Sequence, residues 1–162
     1  MFRTAIPFIA GVALLVSSAA QAATPCFAPT IAHAAKYQQL DIMLMVNSLR
    51  CRTTADDFQA DYDTFRSAHR AEMGQKIAAV LTAFSQRGTA AQARAELEQA
   101  RTVMANRAAQ PTAMSCADLR QLTIMLAAAP EDKVAYAADV LLVGTLAVEV
   151  CPLELAEAAL AR

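Results

Sequence analysis

The stretch LDIMLMVNSLRCRTTADDFQADYDTF, residues 40–65, carries the pattern from which the fold follows. Its first half sets Leu40, Ile42, Met43, Leu44, Met45, Val46 and Leu49 so densely that no polar stripe is wide enough for a surface helix. A helix that is apolar all round is a buried one. The segment is therefore expected to form the central helix of a bundle, closed by Arg50-Cys51-Arg52, with a second helix packed on it. Thr54 followed by Asp57 spells a capping box. From there apolar positions step by three and four through Phe58, Tyr62, Phe65, His69, Met73, Ile77, Val80 or Leu81, and Phe84. That spacing predicts one long helix to about Gln86, with Gly74 as the place for a kink and Gly88 as a left-handed C-terminal cap.

On the N-terminal side, Cys26 to Pro29 reads as a short lead-in, and Thr30 as the cap of the first helix, Ile31 to about Leu49. On the C-terminal side, Thr89 with Gln92 repeats the capping-box signal for a helix to about Asn106, with Ala93, Leu97, Ala100 and Met104 inward. Ala108 to Met114 is a loop around Pro111. Ser115 with Asp118 opens the next helix, through Ala128, facing inward with Leu119, Leu122 and Leu126. Pro130 ends it and suits the first turn of another, whose Glu131 and Asp132 complement the helix dipole. This fifth helix, to about Val150, is apolar almost all round from Val140 to Val148 and is the natural partner of the first. Pro152 starts a short last helix to about Ala161. Glycine occurs four times, tryptophan is absent, and β-branched residues form no alternating runs. The fold class is all-α, a small bundle of five to six helices.

The N-terminus has the form of an export signal. Arg3 gives the positive start, Ala5 to Val16 the apolar centre, and Ala20-Gln21-Ala22 the small-residue exit. Cleavage is expected after Ala22, with Ala23 as second choice, leaving residues 23–162 as a single helical domain. The apolar centre is shorter than the roughly 20 residues of a spanning helix. Pro25 precedes Cys26 and no leucine stands three residues before it, which argues against a lipoprotein signal. The expected location is periplasmic or secreted, with no membrane attachment once the signal is gone. The formal charge of −1 provides no electrostatic case for nucleic acid or an anionic lipid surface.

Cys26, Cys51, Cys116 and Cys151 make an even set in an oxidising compartment, which reads as two disulfides. Four cysteines allow three connectivities. The preferred one joins Cys51 to Cys116, both at helix ends, and Cys26 to Cys151, each beside a proline at the outer ends of the fold. Cys26 with Cys51 is the competing pair. No C-x-x-C exists, so zinc, thioredoxin-type redox chemistry and c-type haem attachment lack their spacing. His69 is the ligand candidate, with Met45 or Met73 opposite it as in a b-haem site, against the commoner role of a buried histidine bonded to a neighbouring helix. Asp56, Asp57, Asp61 and Asp63 could hold a cation, but read better as an acidic helix start answering Arg50 and Arg52. No G-x-S-x-G elbow and no glycine-rich phosphate loop occurs. The sequence names no catalytic residue, no metal site and no cofactor.

The segments LMVNSLRCR (44–52), DDFQADYDTF (56–65), MANR (104–107) and SCADL (115–119) resemble those of a family of small exported alphaproteobacterial helical proteins with no established activity. The resemblance implies an exported, cysteine-bearing helical fold and no catalytic residues. Ala108-Ala109 stand where the family would have an aromatic-glycine pair, so that loop is expected to differ. A hydrolase activity on adenosylhomocysteine, attached to some relatives, would need a dinucleotide-binding βαβ unit and its glycine fingerprint, which this sequence lacks. The resulting expectation is a periplasmic module that binds an envelope protein or has a structural role there. An acid or stress chaperone with protein clients is the alternative, and a haem carrier or enzyme the next.

Overall fold

Helix α1, Pro29–Cys51, is the axis of the fold: it packs against all five other helices found among the described residues, 26–142 and 150–151 of a computed structural model. These are α2 (Gln59–Ala68), α3 (Arg70–Ser85), α4 (Ala90–Ala108), α5 (Cys116–Ala127) and α6 (Glu131–Leu141). The all-α expectation and the central place of the first helix both hold. α1 starts two residues earlier than Ile31, with Pro29 in its first turn and no side-chain cap from Thr30. Proline fixes the helical φ and lacks an N–H that the first turn could not satisfy anyway.

The two sides of α1 serve two cores. Tyr37, Leu40, Leu44 and Cys51 join Phe58, Tyr62 and Phe65 of the α2 region with Leu119, Leu126, Val134 and Ala138 of α5 and α6. Ala34, Ala35 and Ile42 face the other way, toward Val80 and Phe84 of α3, Ala93, Leu97 and Met104 of α4, and Phe27 of the lead-in. The helix is less uniformly covered than its composition suggests, because Leu49 near its end is half exposed.

The long second helix is two helices, α2 and α3, meeting at His69. The bend falls there and not at Gly74. The apolar stepping runs through it unbroken, since Phe58, Tyr62, Phe65, His69, Met73, Val80 and Phe84 are all buried. His69 N–H still donates to Phe65 O at 3.1 Å and Met73 N–H to His69 O at 2.9 Å, so bonds through His69 link the two helices across the break. The start also differs: Thr54 and Asp57 form no capping box. Thr54 Oγ1 instead donates back to Cys51 O, and Asp57 Oδ1 accepts from Gln59 N–H at 3.0 Å, placing the helix start at Gln59.

The other two capping boxes form as spelled, Thr89 with Gln92 and Ser115 with Asp118. Gly88 is not a left-handed cap; α3 ends in the right-handed region at Gln86. A Cβ on Gly88 would lie 2.7 Å from Gln92 Oε1, the acceptor that closes the α4 box, so the glycine leaves room for that side chain. α6 stops at Leu141, short of Val150. Val150 is instead extended, bridged to Phe27, with Cys151 N–H donating to Phe27 O at 2.9 Å. A helix reaching Val150 would not bring Cys151 alongside the lead-in in this way.

Two disulfides staple the bundle, Cys26–Cys151 with Cα atoms 4.7 Å apart and Cys51–Cys116 at 5.8 Å. Arg87 reinforces the first: its guanidinium stacks 3.7 Å from the Phe27 ring and donates to Cys26 O at 2.7 Å. The export signal with its cleavage residues Ala22 and Ala23, the apolar run after Leu142, and the last helix lie outside the described residues.

Candidate binding site

One face of α1 presents His33, Lys36, Tyr37 and Asp41 at helical spacing, and each meets a polar group of another helix. Asp139 of α6 takes His33 Nδ1 at 3.0 Å and Lys36 Nζ at 2.9 Å. Burial alone would raise the Asp139 pKa; the hydrogen bonds and charges of Lys36 and His33 outweigh it and hold the carboxyl below its ordinary value. One turn on, Tyr37 is buried beneath Lys76, whose Nζ lies 5.9 Å from the ring and 2.7 Å from Glu131. Burial, then the nearby charges of Glu72, Glu131 and Asp41, push the Tyr37 phenol well above its ordinary range. Asp41 accepts from Tyr62 Oη at 2.9 Å and faces Arg66 at 3.7 Å. Burial and the Asp41 carboxylate likewise raise Tyr62. Each carboxylate in this seam ties α1 or α3 to a neighbouring helix, which is structural work.

His69, the ligand candidate, is buried against Phe65, and its Nε2 lies 2.9 Å from the carbonyl of Leu126 in the last turn of α5. A nitrogen facing a carbonyl donates, so Nε2 carries a proton and is a second donor to a carbonyl that also accepts from Ala129 N–H at 3.1 Å, at the C-terminal end of α5. Coordination of a haem or metal through Nε2 would first break that bond. The aspartate group is dispersed as well: Asp57 Oδ1 accepts from Gln59 N–H, Asp61 pairs with Arg120 of α5 at 3.2 Å, and Asp56 N–H donates to Thr54 Oγ1. Among the described residues no three His, Cys, Asp or Glu side chains gather as a metal site.

A different feature has the shape of a binding site. A cavity of about 190 Å³ opens between α1, the end of α4 and the chain after it, lined by Met43, Met104, Ala108 and Leu142 with Gln39 and Asn47. Its mouth is formed by Arg107 and residues 110–112. Asn47 is 1% exposed; its Nδ2 donates to Met43 O at 2.8 Å, and its Oδ1 has no partner among the described residues. A buried amide oxygen left unpaired costs stability. The sequence reading passed over Asn47 and Gln39, although an asparagine inside an otherwise apolar helix segment was a usable signal. The turn after α4, at residues 110–112, lies at this mouth.

Comparisons with protein-family models, with characterised proteins and with solved structures find no match for this chain.

Proposed function

We propose that this is an exported, non-catalytic module of the cell envelope that works by binding. The observation that carries the reading is the pair of disulfides closing both ends of the bundle, since such bonds persist in oxidising compartments and are rare in reducing ones. No helix among the described residues is long and apolar enough to cross a membrane. Binding is favoured over catalysis by how the charged side chains are used. Asp41, Asp61, Glu131 and Asp139 each engage a cation on another helix, so these carboxylates are held in ties between helices.

Export is tested by fusing the full chain to a β-lactamase that lacks its own signal. Ampicillin resistance and a mature N-terminus at Ala23 or Thr24 are expected; a reduced, cytoplasmic protein retaining Met1 overturns the reading. Partner binding is tested by photo-crosslinkers placed at Met125 and Tyr136, exposed positions on α5 and α6, in living cells. A discrete envelope adduct is expected, and no adduct at any position removes the module reading. The chaperone alternative draws on the exposed apolar side chains Ile124, Met125, Tyr136 and Val140. It would show as suppression of client aggregation at low pH. A Soret band in the isolated protein would favour haem on His69.

A further inference from the structure

We infer that the Cys26–Cys151 disulfide is a releasable latch, opened by a dithiol reductant while Cys51–Cys116 and the folded core stay intact. The two bonds have different surroundings. Cys26 and Cys151 are both half-buried and line a half-open groove of about 240 Å³ with Phe27, Ile31, Ala83 and Arg87, which gives a small thiol an approach. Cys51, by contrast, is fully buried in the first core with Leu44, Phe58 and Phe65. Opening the latch is also one-sided. Phe27 holds the lead-in from within the second core, edge-on to Phe84 at 5.1 Å and stacked under Arg87. On the other side Val150 is exposed, and what ties it among the described residues is its bridge to Phe27 and the Cys151 N–H bond to Phe27 O. Cutting the disulfide therefore frees the Val150–Cys151 side and leaves the lead-in seated.

In thiol–disulfide exchange a thiolate bonds one sulfur and expels the other as a thiolate, and the step is faster when that departing charge is stabilised. Attack at Cys151 breaks the latch bond, puts the electron pair on Cys26 and leaves Cys151 in a mixed disulfide. The charge forms on the residue whose carbonyl oxygen Arg87 holds at 2.7 Å, with a guanidinium close by. The second thiol of the reductant then displaces Cys151. The latch has gained two electrons and two protons, and the reductant is left as a disulfide. Cys51–Cys116 resists from both ends. Attack at Cys51 is closed off by burial, and attack at half-buried Cys116 would expel a Cys51 thiolate into an apolar core.

The test uses the full chain with both disulfides formed and dithiothreitol as the reductant, with samples quenched in iodoacetamide over time and mapped as peptides. Cys26 and Cys151 should be alkylated at least about tenfold faster than Cys51 and Cys116. Far-ultraviolet circular dichroism should be unchanged when the first pair has opened. In that state the Cys151 amide should exchange its hydrogen rapidly, while the buried Leu44 amide of α1 keeps its protection. Simultaneous loss of both bonds, earlier loss of Cys51–Cys116, or loss of helix in step with the first reduction each overturn the inference. So does a Cys151 amide that stays protected after reduction, since nothing would then have been released. The double variant Cys26→Ser, Cys151→Ser is the independent check. It should keep the parent's helix content and exchange rapidly at position 151; a variant that does not fold overturns the inference, because the open latch must leave the core standing.

Discussion

Gln38 lies one helical turn from both Ala34 and Ile42, on the stripe of α1 that packs into the second core, and is 6% exposed. Both its Oε1 and its Nε2 are buried with no hydrogen-bond partner among the described residues. Replacing it by methionine keeps the length of the side chain and the helix propensity of the position and removes only the amide. Burying an unpaired amide costs about 1–3 kcal/mol by protein mutational data. A near-isosteric swap in a packed interior gives back up to about 1.5 kcal/mol as strain. Taking the middle of each range, the expected net effect of Gln38→Met is a gain of roughly 1 kcal/mol. For a chain of this length that corresponds to about 2–4 °C in Tm. The assay is urea unfolding followed by far-ultraviolet circular dichroism, with a thermal melt beside it. The urea midpoint should rise with its slope unchanged, since a changed slope would report on the denatured state instead. Gln38→Glu is the control and should be strongly destabilising, because it buries a charge with no partner. A midpoint that stays put or falls for Gln38→Met would refute the reasoning, because the amide would then be satisfied in the folded protein.

Phe65, fully buried between α1 and α5, should cost about 3–5 kcal/mol when cut to alanine, and a urea-unfolding loss below about 1 kcal/mol would deny it a place in the core. Removing both Cys51 and Cys116 opens a link spanning 65 residues, so the double alanine variant should lose about 4 kcal/mol on the chain-entropy account, while peptide mapping still finds Cys26 joined to Cys151. Asp139 has a depressed pKa, so its stabilising effect is fully present above the ordinary value of 3.8 and is lost as pH falls below it through the folded value. Asp139→Asn should therefore be less stable than the parent at pH 7, with the gap closing in acid; a gap that stays constant to pH 2 would show the carboxylate is not what matters.

What the sequence made readable was whatever local chemistry encodes. The density of apolar residues around Leu44 marked the axial helix, and two of three proposed capping boxes formed where Ser or Thr stood directly before the first turn. Thr54 failed because its hydroxyl found the Cys51 carbonyl of the helix just finished, a competitor that spacing alone does not reveal. The bend at His69 was hidden for a related reason. Buried positions keep their three-and-four stepping across it, and its long-range partner is the Leu126 carbonyl, 57 residues away in sequence. The end of α6 was hidden too, since an apolar run continues past Leu142 and only the tie of Cys151 to the lead-in demands extended chain at Val150. The cavity is the extreme case: it is assembled by α1, the end of α4 and the turn into residues 110–112, none of which signals it separately.

The placement of unpaired polar atoms on α1 separates two reasons a chain can have for keeping them. Tyr37, Gln38 and Asn47 are all buried on the helix that the other five described helices pack against, and each has a side-chain atom without a partner among the described residues. A central helix packed on more than one side can have several rotations of similar packing energy, and buried polar groups that fit only one of them can select it at a cost in stability, as a single asparagine does in coiled coils. Selection of rotation requires the polar atoms to be better placed in the native arrangement than in the alternatives, which suits Tyr37, lying beneath Lys76 in the α1 seam. Gln38 has no such contact, so on this account its removal raises stability and leaves one native state, visible as a single set of amide resonances in Gln38→Met. Asn47 differs from both, because its Nδ2 is tied back to Met43 O, which fixes the amide while Oδ1 is buried. Doubled or broadened resonances in Gln38→Met would move Gln38 into the selecting group. Asn47→Leu with doubled or broadened resonances would place Asn47 in that group too, and a single set would exclude it.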